Sequence, residues 1–275
     1  MGARLLAQDM AAVDRSRLAR QVEHVAGAME DPPSFRSRFG DLMEFYADRT
    51  RRPAPHAGGY GVPAPVVKAL EGALLEKAGN SGQAALLADV LWSLETRESR
   101  VIALFLIRGQ PSEDVLARVV AWSGTTRDPQ VLQELAGPTL MEIRRNAPAV
   151  FLEAMKAGRS GPSPAARSFA LRALALAVAD RSFQALPEVL ELLALEAEGA
   201  SRDDAQAHIE LVVALARRTP GETARVLREA LERQRPWSYR LAAAALSELP
   251  ERTRASLQRS LSASRAAGIM PRTSD

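Results

Sequence analysis

DVLWSLETRESRVIALFLIR, residues 89–108, reads as two helices joined at a tight corner. Leu87, Val90, Leu91 and Leu94 stand at i, i+3, i+4 and i+7, one apolar stripe on the helical period. Glu95-Thr96-Arg97-Glu98 then breaks the stripe, and Thr96 has the short hydroxyl side chain that caps a helix N-terminus. Residues 101–107 beyond it are apolar on nearly every side. A helix of that kind is buried on both flanks, so it is expected in the middle of a stack of helices.

The same periodicity runs outward in both directions. Upstream, Leu18, Val22, Val25 and Met29 predict an amphipathic helix over residues 1–30. Asp31-Pro32-Pro33-Ser34 is expected to stop it, and residues 35–49 to form a second helix. Residues 51–65 are rich in proline and glycine, have no period and read as an ordered surface loop. Downstream, Pro111, Pro129, Pro148, Pro164, Pro220, Pro236 and Pro250 stand where helices should begin, because proline's missing N–H costs nothing in a first turn. Asp128, Ser163 and Thr219 precede three of them as natural N-caps, and Thr219-Pro220-Gly221-Glu222 has the form of a capping box. Stripes such as Leu186/Val189/Leu190/Leu193 and Ile209/Val212/Val213/Ala216 fill the intervals, and no strand alternation interrupts them.

The fold class is therefore all-α. Short helices paired by short turns are the pattern of a HEAT- or armadillo-like α-solenoid of antiparallel helix pairs with a concave groove, and a compact helical bundle is the alternative. One domain is expected over residues 1–262: N-terminal helices at 1–50, the loop at 51–65 and repeats at 66–262, followed by a flexible tail at 263–275.

Composition narrows the function classes. With 47% hydrophobic and 25% charged residues, this is the make-up of a globular chain and not of a disordered one. No apolar run approaches the roughly 20 residues of a membrane helix. Asp9, Asp14 and Arg15 interrupt any signal-peptide core, and Leu6 occupies the position where an acylation signal has Ser or Thr. The absence of cysteine excludes disulfides, thiolate metal sites and cysteine nucleophiles. A cytoplasmic protein with no membrane partner is the expectation. Lys68, Lys77 and Lys156 are the only lysines among 36 basic residues. The arginine excess suits phosphate, which a planar fork grips better than a point charge, although a GC-rich coding bias produces the same excess.

Several familiar sites are absent. Gly58-Gly59-Tyr60-Gly61 follows no strand and reads as a turn, not a phosphate cradle. His24, His56 and His208 are scattered, and His208-Ile209-Glu210 lacks the later cysteine pair of a zinc deaminase. Asp204 and His208, at i and i+4, read as an exposed pair in an acidic first turn, so no metal is expected.

The run LW-x-L-E-x-R-E-x-R-x-x-A-L, residues 91–104, resembles the signature of the DNA alkylation repair family, the HEAT-like glycosylases that excise alkylated purines. EFYADR at 44–49, Gly61-Val62-Pro63 and residues 65–70 are similar to that family's lead-in, and the similarity extends from about Met43 to about Arg240. The resemblance implies a concave face that holds alkylated duplex DNA by its backbone, with no cofactor. It also implies a carboxylate that stabilises the oxocarbenium ion as an N3- or N7-alkylpurine leaves. Carried over through Pro138, Glu134 stands at the family's catalytic aspartate, while Pro129 and Gln130 replace its two tryptophans and Trp122 lies a few residues upstream. Glu134 also reads as an ordinary solvated helix carboxylate.

Within the run from Pro164 to Arg172, Arg167 stands at the family's phosphate-binding arginine, in the first turn of its helix. Arg144 and Arg145 would add to the same groove, and Trp237, Tyr239 and Arg240 combine an aromatic surface with a cation. The expectation is a monomeric duplex-DNA-binding repair protein. Non-catalytic DNA binding and a protein-binding HEAT adaptor are the alternatives, and a groove of mixed charge would favour the adaptor.

Overall fold

A computed structural model describes residues 14–48, 58–161, 163–196, 204–234 and 237–266, and all regular structure among them is helical. The chain forms two compact units, Met1–Val115 with Thr126–Leu135, and Leu116–Thr125 with Ala136–Asp275.

In the first unit α1 (Arg15–Ala26) opens on Asp14, whose carboxylate accepts from the backbone N–H of Ser16 and Arg17. Residues 1–13, part of the helix expected over 1–30, lie outside the described residues. α2 (Pro32–Tyr46) starts three residues earlier than expected. The preceding helix already ends at Ala26 on Gly27, ahead of the expected stop. Pro32 and Pro33 instead occupy the first turn of the next, where no N–H has an intrahelical partner. α3 (Ala64–Ala78) closes on Gly79 at φ 67°, and Asn80 caps α4 (Ser81–Trp92) through the Gln83 N–H.

The corner in the opening stretch is as expected, with Thr96 accepting from Ser99 N–H to start α5 (Arg97–Ile107). Glu95 makes the turn at φ 60°, a left-handed conformation that costs a non-glycine residue about 1 kcal/mol. Ala84, Ala85 and Ala88 are buried in α4, and their small size lets α5 approach closely in the unit's most extensive helix contact. Ile102, Leu104, Leu106 and Ile107 are fully buried with Phe35, Phe39, Met43, Leu70, Leu74 and Leu91. Each such side chain contributes roughly 1.5–3 kcal/mol by leaving water. Contacts also skip a helix: α1 packs on α3, and α3 on α5.

The unit boundary falls inside α6 (Ser112–Ser123) and at the end of α7 (Pro129–Ala136). The second unit continues with α8 (Pro138–Asn146), α9 (Pro148–Ser160), α10 (Pro164–Ala179), α11 (Leu186–Glu196) and α12 (Ala205–Arg218). It ends with α13 (Pro220–Glu232), α14 (Ser238–Ala245), a 3-10 turn Leu246–Glu248 and α15 (Glu251–Ala266). Pro129, Pro148, Pro164 and Pro220 are first helical residues, and Pro111 and Pro250 stand one position earlier. Pro236 lies outside the described residues, as do 267–275 of the expected tail.

Asp128 and Ser163 cap as expected, through the N–H groups of Gln130 and Ala166. The Thr219 capping box does not form. Thr219 joins α12 directly to α13, and its hydroxyl donates back to the Leu215 carbonyl at 3.2 Å, closing the earlier helix instead of opening the later one. Here too alternate helices pack: α10 on α12, α12 on α14, α11 on α13, α13 on α15. α10 and α12 run parallel, for Arg167 meets Asp204, Arg172 meets Glu210, and Arg218 donates to the carbonyls of Val178 and Asp180.

Candidate functional site

The most specific run of the sequence, residues 95–100, builds the corner itself. Glu98 is 5% exposed, and its carboxylate accepts from the backbone N–H groups of Tyr60, Gly61 and Val62 at 3.1, 2.8 and 3.3 Å. Gly58 accepts from Arg97 N–H, and Gly59 approaches so closely that a Cβ there would sit 3.2 Å from both Arg97 Cβ and Glu98 Oε2. The turn at residues 58–61 is thus held as a ligand of the α5 N-terminus, where the helix dipole also favours the Glu98 charge. Arg97 Nε donates to Asp128 at 2.8 Å, while the other Asp128 oxygen caps α7. Arg100 lies over the Trp92 ring, 5.0 Å from its centroid, and donates to Thr126 Oγ1 at 3.1 Å. Burial pushes the Arg100 guanidinium below its ordinary pKa, against the opposing charges of Glu95 and Asp128.

Glu134 belongs to this first unit. It forms an ion pair with Arg108 at 2.5 Å, and both side chains are about one-third exposed. The Glu71 carboxyl is pushed up, chiefly by burial and further by Glu134, with Arg108 opposing. The carboxylate that the resemblance singled out therefore has a guanidinium on it already. No aromatic accompanies it at Pro129 or Gln130, and Trp122 is buried and lies in the second unit.

The cationic candidates all fall in the second unit. Arg144 is 7% exposed and donates to the Ala136 carbonyl. Burial lowers its pKa, Asp180 opposes and Arg145 adds to the lowering. It is a packing residue and presents no charge to a groove. Arg145 is exposed and faces Asp180 at 3.5 Å. The Asp180 carboxyl is held below its usual range first by the Ser182 N–H and hydroxyl, and then by Arg145.

Arg167 lies in the first turn of α10 as expected, but turns onto its neighbours. Its Nε donates to Asp204 at 3.0 Å and its Nη1 to the Gly161 carbonyl at 3.2 Å. Arg172 pairs with Glu210 at 3.2 Å. At about 100° per residue, Arg167 and Arg172 are turned roughly 140° apart around α10, so they do not form one stripe.

Asp204 and His208 are buried, at 3% and 4% exposure, and not the exposed pair expected. The Asp204 carboxylate is occupied by Arg167 and Ser168, and His208 Nδ1 donates to the Asp204 carbonyl at 2.9 Å. Among the described residues no group of three or more His, Asp or Glu side chains is placed to hold a metal. No helix there is long and apolar enough to cross a membrane.

Trp237 and Arg240 do come together. The Arg240 guanidinium lies 4.9 Å from the centre of the Trp237 ring. Trp237 itself sits at φ 68°, an uncommon backbone for a bulky residue, immediately before α14, with Tyr239 half-buried beside it.

What the sequence did not show is the long-range role of three carboxylates: Glu98 on the turn at 60–62, Asp128 on Arg97 and Asp204 on Arg167. Asp128 was legible only as a helix cap and Asp204 only as a neighbour of His208. Compared with known proteins, the chain matches no family model, no curated protein and no solved structure.

Proposed function

We propose that the chain is a helical-repeat protein of the DNA alkylation repair type that holds duplex DNA by its phosphates and does not cleave glycosidic bonds. Contact between alternate helices supports stacked repeats, since each helix then buries one flank on its sequence neighbour and another on the next-but-one. The bonds from Glu98 to the Gly61-Val62 turn support the resemblance, because they give the two similar stretches one shared structural reason.

The observation that carries the binding reading is Trp237–Arg240. A strained aromatic supports a cation at a helix start, where backbone N–H groups also lack intrahelical partners, and both favour a phosphate. Catalysis is left out of the proposal because Glu134 already neutralises Arg108 and has no aromatic against which a lesion could stack.

The test is anisotropy of a labelled 20-base-pair duplex against salt. With about three phosphate contacts, affinity falls about fortyfold between 50 and 200 mM salt, and Arg240→Ala lowers the logarithmic slope by about 1. Salt-insensitive affinity, or no binding at low salt, removes DNA from the account. On methylated duplex, wild type and Glu134→Gln are expected to release N7-methylguanine and N3-methyladenine equally, at the spontaneous rate. Release that falls about a hundredfold or more in Glu134→Gln would restore a catalytic role.

The adaptor reading is favoured by one observation. Arg145, Arg172 and Arg217 each face a carboxylate, so much of the second unit's surface is of mixed charge. It becomes the better reading if duplex binding fails.

A further inference from the structure

The helix pair α1–α2 flanks an open cleft of about 510 Å³ within the first unit, and Arg17, Arg20, His24, Asp41 and Phe45 on its walls are exposed. Arg17, Arg20 and His24 line it from one face of α1, and Arg38, Asp41, Leu42 and Phe45 from one face of α2. These are helical i, i+3, i+4, i+7 positions, where two packed helices would ordinarily close on apolar side chains. Here the apolar residues Val25 and Leu42 form the floor, and three arginines stand above it against the single carboxylate Asp41.

Two of the arginines are held in place. Arg17 lies over the Phe45 ring, 4.2 Å from its centroid, and Arg38 donates to the His24 carbonyl at 2.9 Å. Among the described residues, the ion pairs include none of Arg17, Arg20 and Arg38, although Asp14 at the start of α1 attracts Arg20 and Arg17 through space. Phe45 is 49% exposed despite this contact.

We propose that this cleft binds a nucleotide, with its phosphate on Arg20 and Arg38 and its base against the Arg17–Phe45 stack. Three arginines line the cleft against Asp41, with Asp14 nearby acting on Arg20 and Arg17, and this cationic excess favours an anionic ligand. A bare phosphate would leave the floor and the aromatic unused, and the volume is that of a small-molecule site. A guanidinium lying over a ring offers a flat cationic surface suited to a base. The nucleotide is either free or part of a single strand, and the two sources present the same chemistry.

The site is in the first unit and does not depend on the duplex-binding reading. Calorimetry with AMP, adenosine and inorganic phosphate, and anisotropy with labelled deoxythymidine decamer, test it on the full chain. AMP is expected to bind at least about tenfold more tightly than adenosine or phosphate. Arg20→Glu, an exposed change that leaves the helical circular dichroism intact, should weaken AMP at least about tenfold. Phe45→Ala should weaken AMP but leave the weak binding of phosphate unaltered. Trp237→Ala should leave AMP binding unchanged, which separates this site from the duplex surface.

Binding of AMP but not the decamer assigns a free nucleotide, and the reverse assigns a single strand. Competition between them assigns one site open to both. Failure of both AMP and the decamer to bind, or binding indifferent to Arg20→Glu and Phe45→Ala, overturns the proposal.

Discussion

Replacing Glu98 with alanine lowers the stability of the first unit by about 3 kcal/mol, because three half-buried backbone N–H groups lose one shared acceptor. Each bond is modest alone, at about 1 kcal/mol net, but the donors left behind are enclosed and recover little from water. Glu98→Gln keeps one acceptor oxygen and loses the charge at the α5 N-terminus, so it should cost about half as much. Thermal or urea unfolding followed by circular dichroism measures the loss. Hydrogen exchange at the amides of Tyr60, Gly61 and Val62 locates it. If wild-type protection persists at those amides in Glu98→Ala, the turn is held by something other than this carboxylate.

Asp204→Ala has a comparable effect in the second unit. Asp204 is buried and serves Arg167 Nε and Ser168 Oγ at once, so removing it strands a half-buried guanidinium. Breaking a buried pair from one side costs about 3–5 kcal/mol, and with the Arg167 side chain 25% exposed the lower end, about 3 kcal/mol, applies. Ser168→Ala should cost about 1 kcal/mol, the ordinary net value of one hydrogen bond. Arg167→Ala is then first a stability change, since it leaves the Asp204 carboxylate enclosed. Any loss of DNA affinity in that variant has to be measured at a temperature where its circular dichroism matches wild type. A melting midpoint unmoved by Asp204→Ala would mean that the pair is solvated and Arg167 is available to a ligand.

These two carboxylates mark the limit of what could be read beforehand. Helix existence was legible because a 3.6-residue apolar period and proline starts are local properties. The Thr96 cap and the apolar helix to Ile107 stand where periodicity puts them. The expected stripe runs past its helix, which ends at Trp92 and leaves Leu94 in the turn. Helix boundaries were less secure where a residue can serve either of two neighbours. Pro32 and Pro33 begin a helix and do not stop the one before, which ends at Ala26, and Thr219 spends on α12 the hydroxyl that its sequence context offers to α13.

By itself, then, the sequence determined that the regular structure of the described residues is helical, much of the apolar face that each helix buries, and a supply of arginine with almost no lysine. Which arginines remain for a ligand was decided only by tertiary structure. A guanidinium's availability depends on whether a carboxylate or carbonyl from a distant helix reaches it first. Arg167 and Asp204 are 37 residues apart, and Arg108 and Glu134 are 26 apart. Arg17, Arg20 and Arg38 look no different in sequence from Arg144 or Arg172. The packing of α1 against α2 gathers them around a cleft with a single carboxylate in its lining, whereas the packing of the second unit spends its arginines on aspartates, glutamates and helix ends.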